Sequence, residues 1–442
     1  MLSLLLVLVV LTQQVASTQV EDFVECEPVD TACECGADAT VCIFQLYIER
    51  VFTFTKYNYS VPYSHGQGES YYINNMGQFV PFHNRGRCIE GTFTKQTGSG
   101  SSDNLYCNEV NMCLPKSKLC SEPITVDGKT YKTVIAVNKQ LPGPTLIVHE
   151  GQIVAVDVHN NLSTEGITIH WHGQHQIKTN FMDGVGLVTQ CPIQPGSSFR
   201  YIFKAGPSGT FWYHSEMQSQ RGIGLFGAFI VKEKDPMSYP VSFRDDPAHH
   251  TLTIMDWFLE DPEPFCKRMK HGLGDEPIFT LPNENQLILP RTTGPDFIKI
   301  GINTFWSAII HGKGRHPDVS YNQSSLNIYE VEPGQTYRFR LIHTGTMYGF
   351  RFSIDNHKLT VIATDGYLVN PLEVDYIALE GGERYDFLLE ANQGGGNYWI
   401  KAETFEIDGT SGPPFKFIDH KAEAILHYSG TDVPSQQSLL TF

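Results

Sequence analysis

From Tyr131 to Leu162 the chain reads YKTVIAVNKQLPGPTLIVHEGQIVAVDVHNNL, with apolar and polar positions in alternation. A period of two sends successive side chains to opposite faces of an extended backbone. The pattern therefore predicts strands, interrupted by turns at Pro142-Gly143-Pro144 and Glu150-Gly151. GTFWYHSE (Gly209 to Glu216), dense in aromatic and β-forming residues, and GLFGAFIVKE (Gly224 to Glu233) continue the series. Earlier, IERVFTFTKYNYSVPY (Ile48 to Tyr63) alternates like one or two strands, and the Gly/Ser-rich stretch 92–104 is expected to be flexible.

The series occurs twice. HEGQIVAVDVHN returns as EPGQTYRFRLIH, PGSSFRYIFKA as GGERYDFLLEA, and GTFWYHSE as GNYWIKAE, each about 185 residues further on. A repeated strand pattern of that length predicts an all-β protein made of two β-sandwiches. The expected boundaries are 121–234 for the first, a Pro- and Asp-bearing linker over 235–247, 248–430 for the second, and a short tail over 431–442. Ahead of them, 19–120 reads as a Cys-rich N-terminal head, a stapled cap or an interaction surface.

Composition narrows the setting. The 442 residues allow two or three domains, and 41% hydrophobic residues suffice for packed cores. The formal net charge is −16 and no basic stripe appears, so nucleic acid is not an expected partner; the acidic surface is solvating and able to attract cations or a mineral. LSLLLVLVVL, within residues 1–18, is too short to span a bilayer and fits the apolar core of a secretory signal peptide, although no basic residue precedes it. No other apolar run approaches transmembrane length, so a secreted chain with no membrane partner is expected. Eight of the ten cysteines lie between Cys26 and Cys120, an even number that suits a disulfide framework, with a Cys-rich zinc module as the alternative. Sequons at Asn58, Asn161 and Asn322 agree with export and glycosylation.

Candidate chemistry concentrates between Thr168 and Val231. His170 and His172 stand two apart on an expected strand, so both imidazoles leave one face. His214 and Glu216 repeat the spacing. One His-x-His on a strand is commonly incidental; two such pairs flanked by Trp171 and Trp212 point to a metal site. The second copy supplies a control, because it places Lys401 and Glu403 where the first has His214 and Glu216. The fold therefore does not require the histidines, whereas the recurring Glu is compatible with a structural role. His249 and His250 are adjacent, so on a strand they would face opposite ways, and a linker position is expected; His311, His316, His343 and His357 are isolated; all six read as non-functional. Neither Cys191 nor Cys266 has histidines placed to complete a blue-copper site, which needs one Cys and two His.

The words HWHG, DGVGLVTQCPI, GTFWYHS and GLFGAFIV strongly resemble the first cupredoxin (plastocyanin-like) domain of multicopper oxidases, the laccases and ascorbate oxidases. VEPGQTYRFRLIH, IDNHKLTVIATDG and GGERYDFLLEA resemble the second domain. The resemblance covers about residues 120–430 and implies tandem Greek-key sandwiches and copper as cofactor. It implies that His170 holds the type 2 copper, that His172 and His214 hold the type 3 pair, that Asp183 helps move protons, and that Cys191 makes a disulfide. Animal laccases often carry a Cys-containing extension like the head seen here. Two departures stand out. The family's second motif is His-x-His where this chain has His214-Ser215-Glu216, and the family's third domain, with its His-rich and His-Cys-His motifs, has no counterpart.

Three readings follow. The first is a secreted laccase-like protein with an incomplete copper site, open to zinc, and little oxidation of phenols or diamines by itself. The second is a non-enzymatic extracellular matrix, cuticle, shell or mineral-associated scaffold of the same descent. The third is one product of a locus or complex in which the missing domain is supplied elsewhere. His170, His172 and His214 are expected to converge, with Glu216 as a fourth ligand or as a group orienting one imidazole, around at most one weakly held ion.

Overall fold

The computed structural model describes residues 21–24, 31–53, 124–234, 241–259, 306–317, 324–405 and 420–431, with isolated short strands between them. The first sandwich uses β1 (Glu21–Phe23), β2 (Ala32–Glu34), β3 (Val41–Phe52), β4 (Thr133–Val137), β5 (Gly143–His149), β6 (Ile153–Asn160), β7 (His170–His172), β8 (Ser198–Lys204), β9 (Gly209–His214) and β10 (Phe226–Lys232). One sheet runs β1-β3-β6-β8, with β4 also on β3; the other runs β7-β9-β10-β5-β2. The second sandwich uses β11 (Thr251–Trp257), β12 (Ser307–Ile310), β13 (Ile328–Val331), β14 (Thr336–His343), β15 (Phe350–Ile354), β16 (Leu359–Thr364), β17 (Tyr367–Val374), β18 (Ile377–Leu379), β19 (Arg384–Glu390), β20 (Asn397–Thr404) and β21 (Lys421–Tyr428). Its sheets run β12-β11-β14-β19-β16-β17 and β13-β21-β20-β15-β18. Among the described residues the only helices are two single 3₁₀ turns, and no helix is long and apolar enough to cross a membrane.

The sequence repeat is a structural repeat. β6 pairs antiparallel with β8, Ile153 opposite Lys204; their counterparts β14 and β19 pair antiparallel with Thr336 opposite Glu390. β9 on β10 is matched by β20 on β21.

Within the segment 19–120, read above as an N-terminal head, the described residues 21–24 and 31–53 pack with the first sandwich. In its described first part, β3 runs parallel to β6 from Val41 to Ile48 and antiparallel to β4. Phe44, Leu46 and Ile48 are fully buried in the first core. The alternation read from Ile48 onward covers only the last five residues of β3, and its partner β6 lies over a hundred residues downstream, which no local pattern encodes. Cys35 and Cys42 form a disulfide and Cys33 is also disulfide-bonded, so these three are not zinc thiolates. The expected leader 1–18, most of 54–63 (Asn58 included) and of 92–104, Asn322, Cys266 and residues 432–442 lie outside the described residues. The end of the expected linker is tied into the second sandwich: Asp245 accepts from Arg340 Nη2 at 2.7 Å, and the Arg244–Asp245 strand pairs with β14.

Each sandwich has its own core, the first built on Trp171, Tyr201, Phe203, Tyr213 and Phe229, the second on Phe339, Phe350, Phe352 and Phe387. A third cluster joins them. Trp212, Phe226 and Ile230 of the first sandwich pack with Met255, Trp257, Ile309 and Ile342 of the second. β9 is therefore buried on both faces: Phe211 and Tyr213 enter the first core, while Thr210, Trp212 and His214 face the second sandwich.

Candidate metal centre

β7 and β9 are antiparallel neighbours, with His170 opposite His214, Trp171 opposite Tyr213 and His172 opposite Trp212. Alternation sends Trp171 into the core and leaves His170 and His172 on the face that β9 shares through Trp212 and His214. Cross-strand and diagonal neighbours on one sheet face are close enough to interact. The result is a cluster in which His170, His172 and His214 each offer a ring nitrogen, all within 4.8 Å of one another. Among the described residues it is the one such group of three or more His, Cys, Asp or Glu.

Hydrogen bonds set the rings. His170 Nδ1 lies 2.7 Å from the Asp183 carbonyl, and His214 Nδ1 lies 3.1 Å from the Ser215 carbonyl. A ring nitrogen facing a carbonyl must carry the proton, which leaves Nε2 of both rings as the lone-pair nitrogen. His172 turns Nδ1 to His214 Nε2 at 3.2 Å. Two nitrogens that close need a shared proton or a shared cation between them. The Trp212 indole is a shelf for both rings, with centroids 5.0 Å from His172 and 4.1 Å from His214.

Burial pushes His172 down to about 3, with Arg384, His170 and Arg221 adding repulsion. Burial also holds His214 well below the ordinary imidazole range, against the Ser215 carbonyl and with repulsion from His170 and Arg221. Both rings are thus neutral at physiological pH and have lone pairs to give. Three imidazole nitrogen donors fit a borderline divalent ion such as copper or zinc, and suit calcium poorly.

Asp183 reaches the site mainly through its backbone; its carboxylate Oδ1 stands 3.4 Å from His170 Nδ1. The following Gly184 has φ +83°, and a Cβ there would lie 1.9 Å from the Ile169 carbonyl oxygen. Only glycine lets that turn close on the strand carrying His170. Glu216 does not join the cluster. β9 ends at His214, so the two-residue spacing no longer implies a shared face. Its exposed carboxylate stands 3.6 Å from His214 Nδ1, while His214 Nε2 faces His172. In the second sandwich Glu403 pairs with Arg351 at 2.8 Å, a cross-strand contact on adjacent strands.

Three other histidines have local contacts. His343 Nε2 meets the Tyr348 carbonyl, His357 Nε2 meets Tyr428 Oη, and His250 packs on Tyr337 and Phe339. Cys191 is exposed and free, so the disulfide implied for it by resemblance is not formed here. Sequence reasoning missed Arg221, Trp212 as a shelf, and Arg384 from the second sandwich, because each reaches the site only through packing of distant segments.

Two domain models, both described as multicopper oxidase, match residues 119–236 and 248–431. Laccase-5 of Trametes villosa is 35% identical over 296 residues, covering 65% of this chain and 50% of the relative. Oxidoreductase OpS5 of Beauveria bassiana is 34% identical over 286 residues, covering 64% of this chain and 43% of the relative. The chain spans about half the length of the curated relatives it matches. Among solved structures, the laccase from Botrytis aclada superposes with a TM-score of 0.57 at 23% identity, covering 93% of this chain and 59% of that one. Fet3p, a multicopper oxidase that functions in iron import, superposes at 0.53 and 24% identity, covering 70% of this chain and 51% of that one. At such identities these superpositions speak to the fold.

Proposed function

The chain belongs to the multicopper oxidase family, and from that premise we propose that His170, His172 and His214 hold copper in a laccase-type site. The observation carrying this is the convergence of three imidazoles within 4.8 Å, two of which, His172 and His214, burial keeps neutral. Bound copper would supply one-electron redox chemistry between a phenol or aromatic diamine and dioxygen. The chain's own residues prepare that chemistry. The Asp183 and Ser215 carbonyls fix the tautomers of His170 and His214, Trp212 closes one side to water, and the Asp183 carboxylate is placed to hold a proton beside His170.

The 442 residues contain no His-Cys-His triplet, and Cys191 is free and exposed. A blue-copper centre needs a thiolate with two imidazoles. By themselves, then, these residues are read as weak or inactive in oxidising phenols, with zinc an acceptable substitute ion. The Cys35–Cys42 disulfide and the sequons support a secreted, glycosylated protein. The net charge of −16 favours, as a second reading, an extracellular scaffold that meets matrix or mineral cations.

The test is metal content per purified chain, read with the visible spectrum and dioxygen uptake on phenols and diamines. At most one weakly held copper or zinc, no intense blue band and negligible turnover are expected. His170→Ala with His172→Ala removes the ion and leaves the far-UV spectrum unchanged. Unchanged metal stoichiometry in the double variant refutes the site. Sustained multi-turnover dioxygen uptake by the purified chain refutes the weak-activity reading.

A further inference from the structure

We propose that Arg384 and Gly382, both from the second sandwich, are positioning residues of the metal centre and hold His172 in its ligating orientation. This rests on the reading that the three histidines bind metal. Arg384 opens β19, yet its side chain points out of its own sandwich. Nε donates to the Thr210 carbonyl on β9 at 3.2 Å, four residues before His214. Cζ lies 5.5 Å from the Phe211 ring centroid. A Cβ added at Gly173, the residue after His172, would fall 2.5 Å from Arg384 Nη2, so the guanidinium is laid against the end of β7. One side chain thus touches both ligand-bearing strands.

The guanidinium is itself held. Nη1 donates to the Gly382 carbonyl at 3.0 Å and pairs with Asp365 Oδ1 at 2.8 Å. The bond to Gly382 fixes the turn that meets His172. Gly382 N in turn donates to the His343 carbonyl at 2.8 Å. Gly382 adopts φ +95°, and a Cβ there would lie 3.1 Å from His172 Cε1 and 3.4 Å from Nε2. The backbone of Gly382 is therefore the wall behind the Nε2 edge of His172, with Trp212 stacked on its face. An imidazole closed in by an indole and by this turn keeps Nδ1 towards His214. Relaxing the turn frees the ring to rotate, and a ligand less tightly oriented binds more weakly, typically by about ten- to a hundredfold for groups that support a ligand from behind. A planar fork bridging two carbonyls and a carboxylate is a task for Arg and not for Lys.

The experiment uses the full chain and the variants Arg384→Gln, Arg384→Lys and Gly382→Ala, with Arg351→Gln, whose guanidinium pairs with Glu403 on β20, as a control outside the cluster. Affinity for Cu(II) and for Zn(II) is measured separately by chelator competition. Histidine ring resonances are recorded by ¹⁵N-labelled NMR on metal-free protein. Expected is an affinity loss of about ten- to a hundredfold for both ions in Arg384→Gln, not restored by Arg384→Lys, and absent in Arg351→Gln. In metal-free protein the His172 resonances shift in Arg384→Gln and Gly382→Ala, while those of His357 do not. Wild-type affinity together with unmoved His172 resonances in Arg384→Gln and Gly382→Ala overturns the proposal. Should Arg384→Gln fail to fold, Arg384→Lys and Gly382→Ala decide by the same two readouts. A wild-type chain that binds neither ion refutes the metal reading instead, and the metal-free NMR then decides the positioning role on its own.

Discussion

Replacing Asp386 tests how the second sandwich is held to the linker and to the strand beneath the metal centre. Asp386 is buried, and its Oδ2 accepts from Arg338 Nε at 3.0 Å, Arg338 Nη2 at 2.6 Å and Arg340 Nη1 at 3.1 Å. Arg338 Nη1 also meets Glu233, Arg340 Nη2 meets Asp245, and Arg340 Nη1 meets Thr210 Oγ1 on β9. Burial by itself would raise the Asp386 carboxyl, but Arg338 and Arg340 win and hold it below the ordinary carboxylate range. Asp386→Ala leaves Glu233 and Asp245 to balance two guanidinium charges, yet strands Arg338 Nε and Nη2 in a dry interior. Removing one partner of a buried pair costs about 3–5 kcal/mol. Asp386→Asn keeps one acceptor oxygen and should lose about 1.5–3 kcal/mol, the value of hydrogen bonds to a charged group. With a urea m-value of about 2 kcal/mol/M, the Ala variant should unfold about 2 M earlier, followed by tryptophan fluorescence. Because the folded carboxyl is depressed, the stabilisation is present above the unfolded pKa and fades as pH falls through the folded one. The loss should therefore shrink in acid. If both variants stay within about 1 kcal/mol of wild type at neutral pH, the network is not a clamp and the reasoning fails.

Further outcomes follow from buried groups and from the staple. Burial pushes His311 and His343 down to about 4. A depressed histidine contributes stability above its unfolded value, so stability should fall between about pH 6.5 and 4, by up to about 1.4 kcal/mol per pH unit for each ring, and His343→Gln should flatten that slope in pH-dependent urea titrations. An unchanged slope would show that His343 is not buried neutral. Cys35→Ser with Cys42→Ser opens a loop of sequence separation 7; chain entropy predicts a loss of about 2–3 kcal/mol, measured under oxidising conditions, and no change would mean the bridge is not formed in solution. Trp212→Leu removes the shelf under two ligands and the centre of the inter-sandwich cluster. It should cost about 3 kcal/mol or more in denaturant stability and weaken metal binding, whereas loss of stability alone would confine Trp212 to packing.

Much was legible in the chain before any coordinates. Alternation across Tyr131 to Leu162 marked β4, β5 and β6, and the twofold repeat announced two sandwiches whose equivalent strands do pair alike. His170, His172 and His214 could be named because a period of two sorts residues onto faces without knowledge of the partner strand. Whether those faces meet was beyond local reach. Register alone sets His170 opposite His214, and the end of β9 at His214 alone moves Glu216 out of the cluster. The Ile48 to Tyr63 pattern meets β3 only at Ile48 to Phe52, and only tertiary pairing made β3 an inner strand of the first sandwich. Arg384 lies more than two hundred residues from His172, in a strand whose pattern says nothing beyond β. The sequence by itself determined which residue types share a face, because that depends on backbone geometry repeated every two residues. Only the tertiary structure decided which faces touch, because strand pairing and inter-sandwich packing are set by the summed burial of Trp212, Trp257, Phe226 and their neighbours across the whole chain.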